Sequence, residues 1–121
     1  MPSLFEVTAG SLVGPTTGGT VTQASSKSTG VTLNTESGQI TMNNAQLDAG
    51  VEVTFTVTNS KIAATDVIVV NHASGGTAGS YLAQATAVAA GSFAITITNT
   101  SAGNLGEAIV LNFVALKGAS S

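Results

Sequence analysis

The clearest structural signal lies in the run Val51-Glu52-Val53-Thr54-Phe55-Thr56-Val57-Thr58, in which every odd-numbered residue is apolar and every even-numbered residue is polar. Successive side chains of a β-strand point to opposite faces, so this alternation predicts a strand that is buried on one face only. A second run, Phe93-Ala94-Ile95-Thr96-Ile97-Thr98, repeats the pattern. Threonine suits the outward positions because its β-branched side chain packs well on a pleated surface.

Shorter runs with the same period continue this pattern along the chain. They are Thr20-Val21-Thr22, Val31-Thr32-Leu33 and Gln39-Ile40-Thr41-Met42, with turn-forming stretches at Gly14-Pro15, Gly18-Gly19, Ser37-Gly38, Gly75-Gly76 and Ala102-Gly103-Asn104. Turns every ~8–12 residues predict an all-β domain of about eight short strands. In the alanine-rich segment 82–90, the β-branched Thr86 and Val88 favour a strand or loop over a helix.

We therefore expect a single antiparallel β-sandwich, or jelly roll, over residues 18–118. The loop-like composition of the preceding residues predicts an N-terminal arm over 1–17, and the last residues, 119–121, form a short C-terminal tail.

The composition excludes several classes of function. The 121 residues contain no cysteine, which rules out a disulfide framework and a cysteine-ligated metal site. Only 7% of the residues are charged, and three lysines with a net charge of −3 do not provide the clustered cations that nucleic-acid binding requires. The apolar runs are far shorter than the ~20 residues that span a bilayer. We expect no cofactor, no metal, no nucleic-acid partner and no membrane partner.

An internal similarity connects two parts of the chain. Residues 50–60 and 91–100 each contain a glycine, an alternating strand and a final Thr-Asn-Ser or Thr-Asn-Thr. Each is followed by an acidic residue, Asp66 or Glu107, that opens an apolar strand. We expect two similar hairpins that form related halves of the sandwich, although two hairpins of biased composition can also resemble each other by chance.

Two of the expected strands, 67–70 and 109–116, carry apolar residues on both faces. A sandwich strand needs only one buried face, so the second apolar row requires another cover. The N-terminal arm could provide that cover, but we prefer burial against neighbouring copies of the chain. The expected oligomer interface comprises Ile68, Val70, His72, Val110, Val114 and Leu116.

Few residues offer catalytic chemistry. His72 is the only side chain that ordinarily titrates near neutral pH, and a triad with Ser74 and Asp66 would lack a nucleophile elbow and an oxyanion loop. The carboxylates are better explained as turn caps, because sugar-cleaving sites usually add aromatic platforms, whereas this chain has one tyrosine and no tryptophan. We therefore expect no enzyme.

Several runs together resemble a signature of tailed-bacteriophage virion proteins. They are residues 18–34 (GGTVTQASSKSTGVTLN), 37–43 (SGQITMN), 55–60 (FTVTNS) and 66–72 (DVIVVNH), and the similarity continues from Ala83 to Lys117. The resemblance rests on this combination, since no single hexapeptide suffices. It implies a jelly-roll or β-sandwich module that assembles as a trimer and occurs in capsid decoration proteins and at the tips of head and tail fibres. It supplies no catalytic residues.

The resemblance and the extent of the module imply a structural role. The module fills nearly the whole chain, without a fibre shaft or an anchoring segment, so we expect a capsid decoration (cement) protein. It would bind the major capsid protein at the virion surface as a homotrimer, with arm residues Leu4, Phe5 and Val7 contacting the capsid. The alternative is a receptor- or glycan-binding tip module of a head or tail fibre. Its ligand loop would comprise Gly76, Thr77, Ser80 and Tyr81.

Overall fold

A computed structural model describes residues 18–118. All of the regular secondary structure in this range is β-strand. The strands, numbered in chain order, are β1 (Thr20–Thr22), β2 (Val31–Thr32), β3 (Ser37–Thr41), β4 (Glu52–Thr58), β5 (Val67–Ser74), β6 (Tyr81–Ala89), β7 (Ser92–Asn99) and β8 (Val110–Leu116). The two alternating runs lie in β4 and β7, and the alanine-rich segment forms β6. The prediction of an all-β chain is confirmed.

The strands form two four-stranded sheets. Sheet 1 has the order β1-β3-β8-β5, and sheet 2 has the order β2-β4-β7-β6. Every connection except the one between β6 and β7 carries the chain from one sheet to the other. The inner faces of the two sheets pack together and enclose the core, as in a small β-sandwich.

The core is built from the inward-facing side chains that the alternation predicted. Phe55 in β4, Phe93 in β7 and Phe113 in β8 are each at most 3% exposed. The rings of Phe93 and Phe113 belong to different sheets, and their centroids lie 5.3 Å apart. Burying each large apolar side chain contributes on the order of 1.5–3 kcal/mol, so these contacts hold the two sheets together.

The sheets are mixed, which corrects the expectation of purely antiparallel pairing. β1 pairs parallel with β3, and β2 pairs parallel with β4. Parallel neighbours require a crossover, and here the crossover is a strand in the opposite sheet. Hydrophobic alternation marks the buried face of a strand but not its direction, so the sequence pattern carried no signal for this arrangement.

The internal similarity corresponds to two arches, and the prediction of two hairpins is wrong. β4 and β7 lie in sheet 2, whereas the strands that follow them, β5 and β8, lie in sheet 1. The two arches are antiparallel neighbours, because β4 pairs with β7 and β5 pairs with β8. The strands that each turn joins therefore belong to different layers and cannot form a hairpin.

Both arches leave sheet 2 at a fully buried asparagine. The Oδ1 atom of Asn59 accepts a hydrogen bond from the Lys61 amide, and that of Asn99 accepts one from the Ser101 amide, at 3.0 and 2.9 Å. The Nδ2 groups donate to backbone carbonyl oxygens of other loops, those of Thr35 (2.6 Å) and Leu47 (2.9 Å). Buried amides are stable only when paired, so these bonds define where the chain crosses between the layers.

We expect Asn99→Ala to lower the free energy of unfolding by about 2–3 kcal/mol, because the fully buried Asn99 side chain donates to the carbonyl oxygens of Leu47 and Gly103 and accepts from the Ser101 amide, and all of these bonds are lost. Urea unfolding followed by circular dichroism measures this change. The matched control is Asn112→Ala at an exposed position of β8, which should change stability by less than about 0.5 kcal/mol. Equal losses in the two variants would contradict the role of Asn99.

Candidate functional site

The outer face of β5 and β8 carries a contiguous apolar surface. Val67 lies opposite Leu116, and Val69 lies opposite Val114, as cross-strand pairs on the same side of sheet 1. Val67, Val69 and Leu116 are 55%, 40% and 50% exposed. We call these four residues the apolar face. Cross-strand neighbours have Cβ atoms about 5 Å apart, so the face forms a single patch rather than scattered side chains.

The predicted interface is corrected in β5. Ile68 and Val70 are 9% and 8% exposed and belong to the chain's own core, so they cannot form an outward contact. Their partners across the ladder are Ala115 and Phe113, which are also buried. In a strand that is apolar on both faces, the period of two does not reveal which face points inward.

The prediction therefore missed Val67 and Val69 but placed three residues of β8 correctly on the outer side. Val110, Val114 and Leu116 alternate with the buried side chains of that strand. Val110 lies at the far end of β8, where it pairs with Thr41 and Ser74. Only the part of the outer face near Leu116 is consistently apolar, since Asn71 and Asn112 lie between the two ends.

An ion pair closes the end of the sheet next to the apolar face. The Lys117 ammonium lies 2.7 Å from Asp66 Oδ2, and the Asp66 side chain is only 1% exposed. Burial alone would raise the pKa of Asp66, but hydrogen bonds from the Ala63 amide and from Lys117 outweigh it and lower the pKa. Lys117 also donates to the backbone carbonyl oxygen of Lys61 at 2.8 Å, which joins the connection between β4 and β5 to the end of β8.

A second feature lies at the opposite end of β5, where the carboxylate of Glu107 holds the loop 75–80. Glu107 Oε1 accepts hydrogen bonds from the Thr77 amide (2.9 Å) and the Tyr81 hydroxyl (2.8 Å), and Oε2 accepts one from the Thr77 hydroxyl (2.7 Å). Gly76 approaches this carboxylate so closely that an added Cβ would lie 2.7 Å from Oε1. Its φ of +69° also favours glycine.

These contacts shift the ionisation of both residues. Hydrogen bonds from the Thr77 hydroxyl, the Thr77 amide and the Tyr81 hydroxyl lower the pKa of Glu107. Burial raises the pKa of Tyr81, and the hydrogen bond to the negatively charged Glu107 raises it further. The carboxylate is therefore ionised and the phenol protonated over the whole physiological range.

A shallow cavity of about 220 Å³ opens beside this loop and is lined by residues 73–76, 78 and 79 together with His72 and Tyr81. The predicted loop residues Gly76 and Tyr81 thus lie at one site. Tyr81 is only 9% exposed, however, so its side chain offers little surface to a ligand of the predicted loop. Its ring contacts that of His72 edge to face, with centroids 5.4 Å apart.

His72 lies at this end of the sandwich, away from the apolar face. Its Nε2 atom lies 2.6 Å from the Gly75 carbonyl oxygen and 3.0 Å from that of Ser74. Carbonyl oxygens only accept hydrogen bonds, so Nε2 carries a proton in this arrangement. This nitrogen is therefore a donor to the loop backbone and is not available as a base.

Sequence reasoning missed the buried lysine behind the loop. Lys27 is 4% exposed, and its ammonium group donates to the backbone carbonyl oxygens of Asn43 and, at 2.6 Å, Glu107. Burial lowers the pKa of Lys27, while the negative charge of Glu107 opposes that shift. A lone lysine in a Ser/Thr-rich stretch gives no sequence signal for burial. The sequence analysis did place Asp66 and Glu107 at matching positions, but it explained the carboxylates as turn caps and did not predict the contact of Glu107 with loop 75–80.

The remaining predictions concern the N-terminal arm, the C-terminal tail, metal binding and the membrane. Leu4, Phe5 and Val7 lie outside the described residues, as does the tail. Within residues 18–118, no cluster of three or more metal-ligating side chains occurs. The same range holds no helix with the length and apolar character that a membrane crossing demands.

Comparisons with protein-family models, curated proteins and solved structures found no match to this chain.

We expect the Thr77 amide proton to report the titration of Glu107, because the carboxylate is its acceptor. In NMR spectra recorded over pH, its chemical shift should titrate with a midpoint below 4.5, the ordinary value for glutamate. The stability that this carboxylate contributes is present above pH 4.5 and is lost as the pH falls through its lowered pKa.

The variant Glu107→Gln should abolish this titration and increase hydrogen exchange of the loop amides at neutral pH. The neutral amide of glutamine has a single acceptor oxygen and cannot replace a carboxylate that accepts three hydrogen bonds. The exposed Glu52→Gln serves as the control and should leave both unchanged. An unaltered Thr77 titration in Glu107→Gln would contradict the assignment.

Proposed function

We propose that this protein is a tailed-bacteriophage capsid decoration protein that binds the head surface as a homotrimer and stabilises the shell. The observation that carries the proposal is the apolar face of β5 and β8. Val67, Val69 and Leu116 are 40–55% exposed on a chain with very few charges. Contiguous exposed apolar patches on small proteins mark interaction sites, and the resemblance to trimeric virion modules supports further copies of the chain as the partner.

The energetics support such an assembly. Completely burying an exposed Val or Leu side chain contributes about 1.5–3 kcal/mol, so half-exposed side chains retain roughly half of that gain for an interface. Three such residues per copy are repeated in every contact of a ring. A surface with few charges also provides little electrostatic repulsion between copies.

A trimer on a capsid gains from repetition. Each copy offers one contact to the shell, and after the first contact forms, the others act at high effective concentration. In this proposal the N-terminal residues Leu4, Phe5 and Val7 contact the major capsid protein, while the apolar face holds the copies together. The protein would therefore be located on the capsid surface of the virion and act by binding rather than by catalysis.

The variant Leu116→Asp should convert the wild-type trimer into a monomer of 11.8 kDa, because a carboxylate would be buried in the interface. Light scattering after size-exclusion chromatography at micromolar concentration measures the mass. Thr58→Asp places the same charge at an exposed position of sheet 2 and should leave the trimer intact. A wild-type monomer would contradict the proposed assembly.

Cryo-electron microscopy of virions tests the location. Density for the two-sheet domain should occupy positions on the head where copies meet around a local three-fold axis. Virions that lack the protein should lose this density and release DNA at a lower temperature or after dilution of divalent salt. Density at the tail tip, with a bare head, would refute the decoration role.

A glycan- or receptor-binding role at a fibre tip is the second candidate, and the cavity beside loop 75–80 favours it. Its polar lining of backbone groups and His72 could bind sugar hydroxyl groups. In this case, Ala78→Phe at the cavity should abolish binding of the protein to host cells, whereas Ala102→Phe at an exposed turn should not. Equal binding by both variants would eliminate the cavity as the site.

A further inference from the structure

The loop that connects β1 to β2, residues 23–30, is held together by a buried amide side chain. Gln23 is 2% exposed, and its Nε2 atom donates to the backbone carbonyl oxygens of Lys27 (2.8 Å) and Thr29 (3.0 Å). Its Oε1 atom accepts a hydrogen bond from the Asn43 amide at 2.9 Å. Gln23 therefore attaches loop 23–30 to the chain just after β3 and fixes the backbone at Lys27.

The ammonium group of Lys27 extends this connection to Glu107. It donates to the backbone carbonyl oxygens of Asn43 and, at 2.6 Å, Glu107, and the residue is only 4% exposed. Glu107 lies between the bridge at Leu105 and the first residue of β8, Val110, and so outside any strand ladder. A carbonyl group in such a position needs a partner of this kind. Lys27 thus holds the backbone from which the Glu107 side chain projects.

The carboxylate of Glu107 continues the connection to loop 75–80. It accepts three hydrogen bonds, two of which come from Thr77. The loop also packs closely on the neighbouring backbone, since a Cβ added to Gly75 would lie 2.9 Å from the Ala108 carbonyl oxygen. Glu107 therefore contacts the buried cation through its carbonyl oxygen and the loop through its carboxylate.

The shape of the cavity depends on these contacts. Residues 75, 76, 78 and 79 of the loop form much of its lining, and the three glycines among them have φ values between +69° and +81°. Glycine has the greatest backbone freedom of all residues, so this stretch has little intrinsic preference for one conformation. The hydrogen bonds from Thr77 to Glu107 and from His72 to the Gly75 carbonyl oxygen select the observed one.

Lys27 and Glu107 support each other. Burying an ammonium group costs free energy unless charged or hydrogen-bonded partners compensate, and burial lowers the pKa of Lys27 accordingly. The negative charge of Glu107 opposes this shift and favours the charged lysine. The cation that fixes the Glu107 backbone is therefore stabilised by the Glu107 side chain.

We infer that Lys27 is a positioning residue for the cavity beside loop 75–80, and that loop 23–30, Glu107 and loop 75–80 open and close as one unit. Local opening of such a unit does not require the rest of the domain to unfold. Because coupling between two sites is reciprocal, a molecule bound in the cavity would also protect loop 23–30 from opening. The inference goes beyond the proposed function and does not depend on the oligomeric state or on the location of the protein.

Amide hydrogen exchange of the full-length chain, followed by NMR, tests the inference. Lys27→Met keeps most of the length of the side chain but removes its charge and its donors. It should accelerate exchange of the Thr77 amide by about tenfold or more, because a hydrogen bond from a charged group changes an opening equilibrium by at least that factor. The amides of the β4–β7 ladder, which exchange when the whole domain opens, should change by a smaller factor. Lys61→Met removes an exposed lysine and should leave Thr77 unchanged.

The reciprocal variant is Glu107→Gln, which alters a side chain at the surface and retains the carbonyl oxygen that Lys27 binds. It should accelerate exchange of the Asn43 amide several-fold, although that amide donates to Gln23 and does not contact the altered side chain. This variant tests the coupling even if Lys27→Met does not fold. In the double variant, Thr77 should exchange no more than about twofold faster than in Glu107→Gln alone, because Lys27 acts on the loop only through Glu107.

Equal acceleration of Thr77 and of the β4–β7 amides in Lys27→Met would mean that Lys27 stabilises the domain as a whole, and the inference would be wrong. Unchanged exchange of Asn43 in Glu107→Gln would overturn it as well. Additive effects of the two substitutions on Thr77 would show that Lys27 and Glu107 act separately, which also contradicts it. Each of these results would leave the proposed trimer and its location on the capsid untouched.

Discussion

The chain passes from one sheet to the other at almost every connection. The structure therefore depends on hydrogen-bond partners for the backbone groups of the crossing turns at both ends of the sandwich. Turns between strands of different sheets have no ladder partner for their amide and carbonyl groups. Here that role falls to buried polar side chains, among them Asn59, Asn99 and Lys27, which donate to carbonyl oxygens of the crossing loops. The apolar core can pack only because these few polar groups hold the loops in place.

The two arches use the same arrangement twice. Each leaves sheet 2 at a buried asparagine and enters sheet 1 next to an acidic anchor, Asp66 or Glu107. Asp66 accepts a hydrogen bond from the Ala63 amide within its own turn, whereas Glu107 reaches the separate loop that joins β5 to β6. The same position in the similarity therefore closes a short turn in one arch and attaches a long loop in the other.

The proposed assembly also follows from the sparing use of charge. Most carboxylates and lysines are committed to loops and sheet ends, which leaves the long edge strands and the outer face near Leu116 without charges. Proteins usually protect such edges with lysine, proline or a bulge, and of these devices β5 and β6 have only an irregularity in the register of each ladder. In the proposed oligomer, other copies of the chain would cover these edges, so a surface that is a liability in a monomer would become useful.

The sequence by itself determined the strands of the all-β fold and the inward side chains of β4 and β7, because alternation with period two directly reflects burial on one face. In β8, the polar Asn112 distinguishes the outer face, which it shares with Val110, Val114 and Leu116. The sequence could not assign the faces of β5, where Val67 to Val70 are all apolar, and the prediction therefore misplaced Ile68 and Val70. Only the tertiary structure decided that the similar segments are arches, that two strand pairs are parallel, and that Lys27 and Tyr81 are buried. These features depend on which strands and loops become neighbours across the layers, and such long-range pairing leaves no local pattern in the chain.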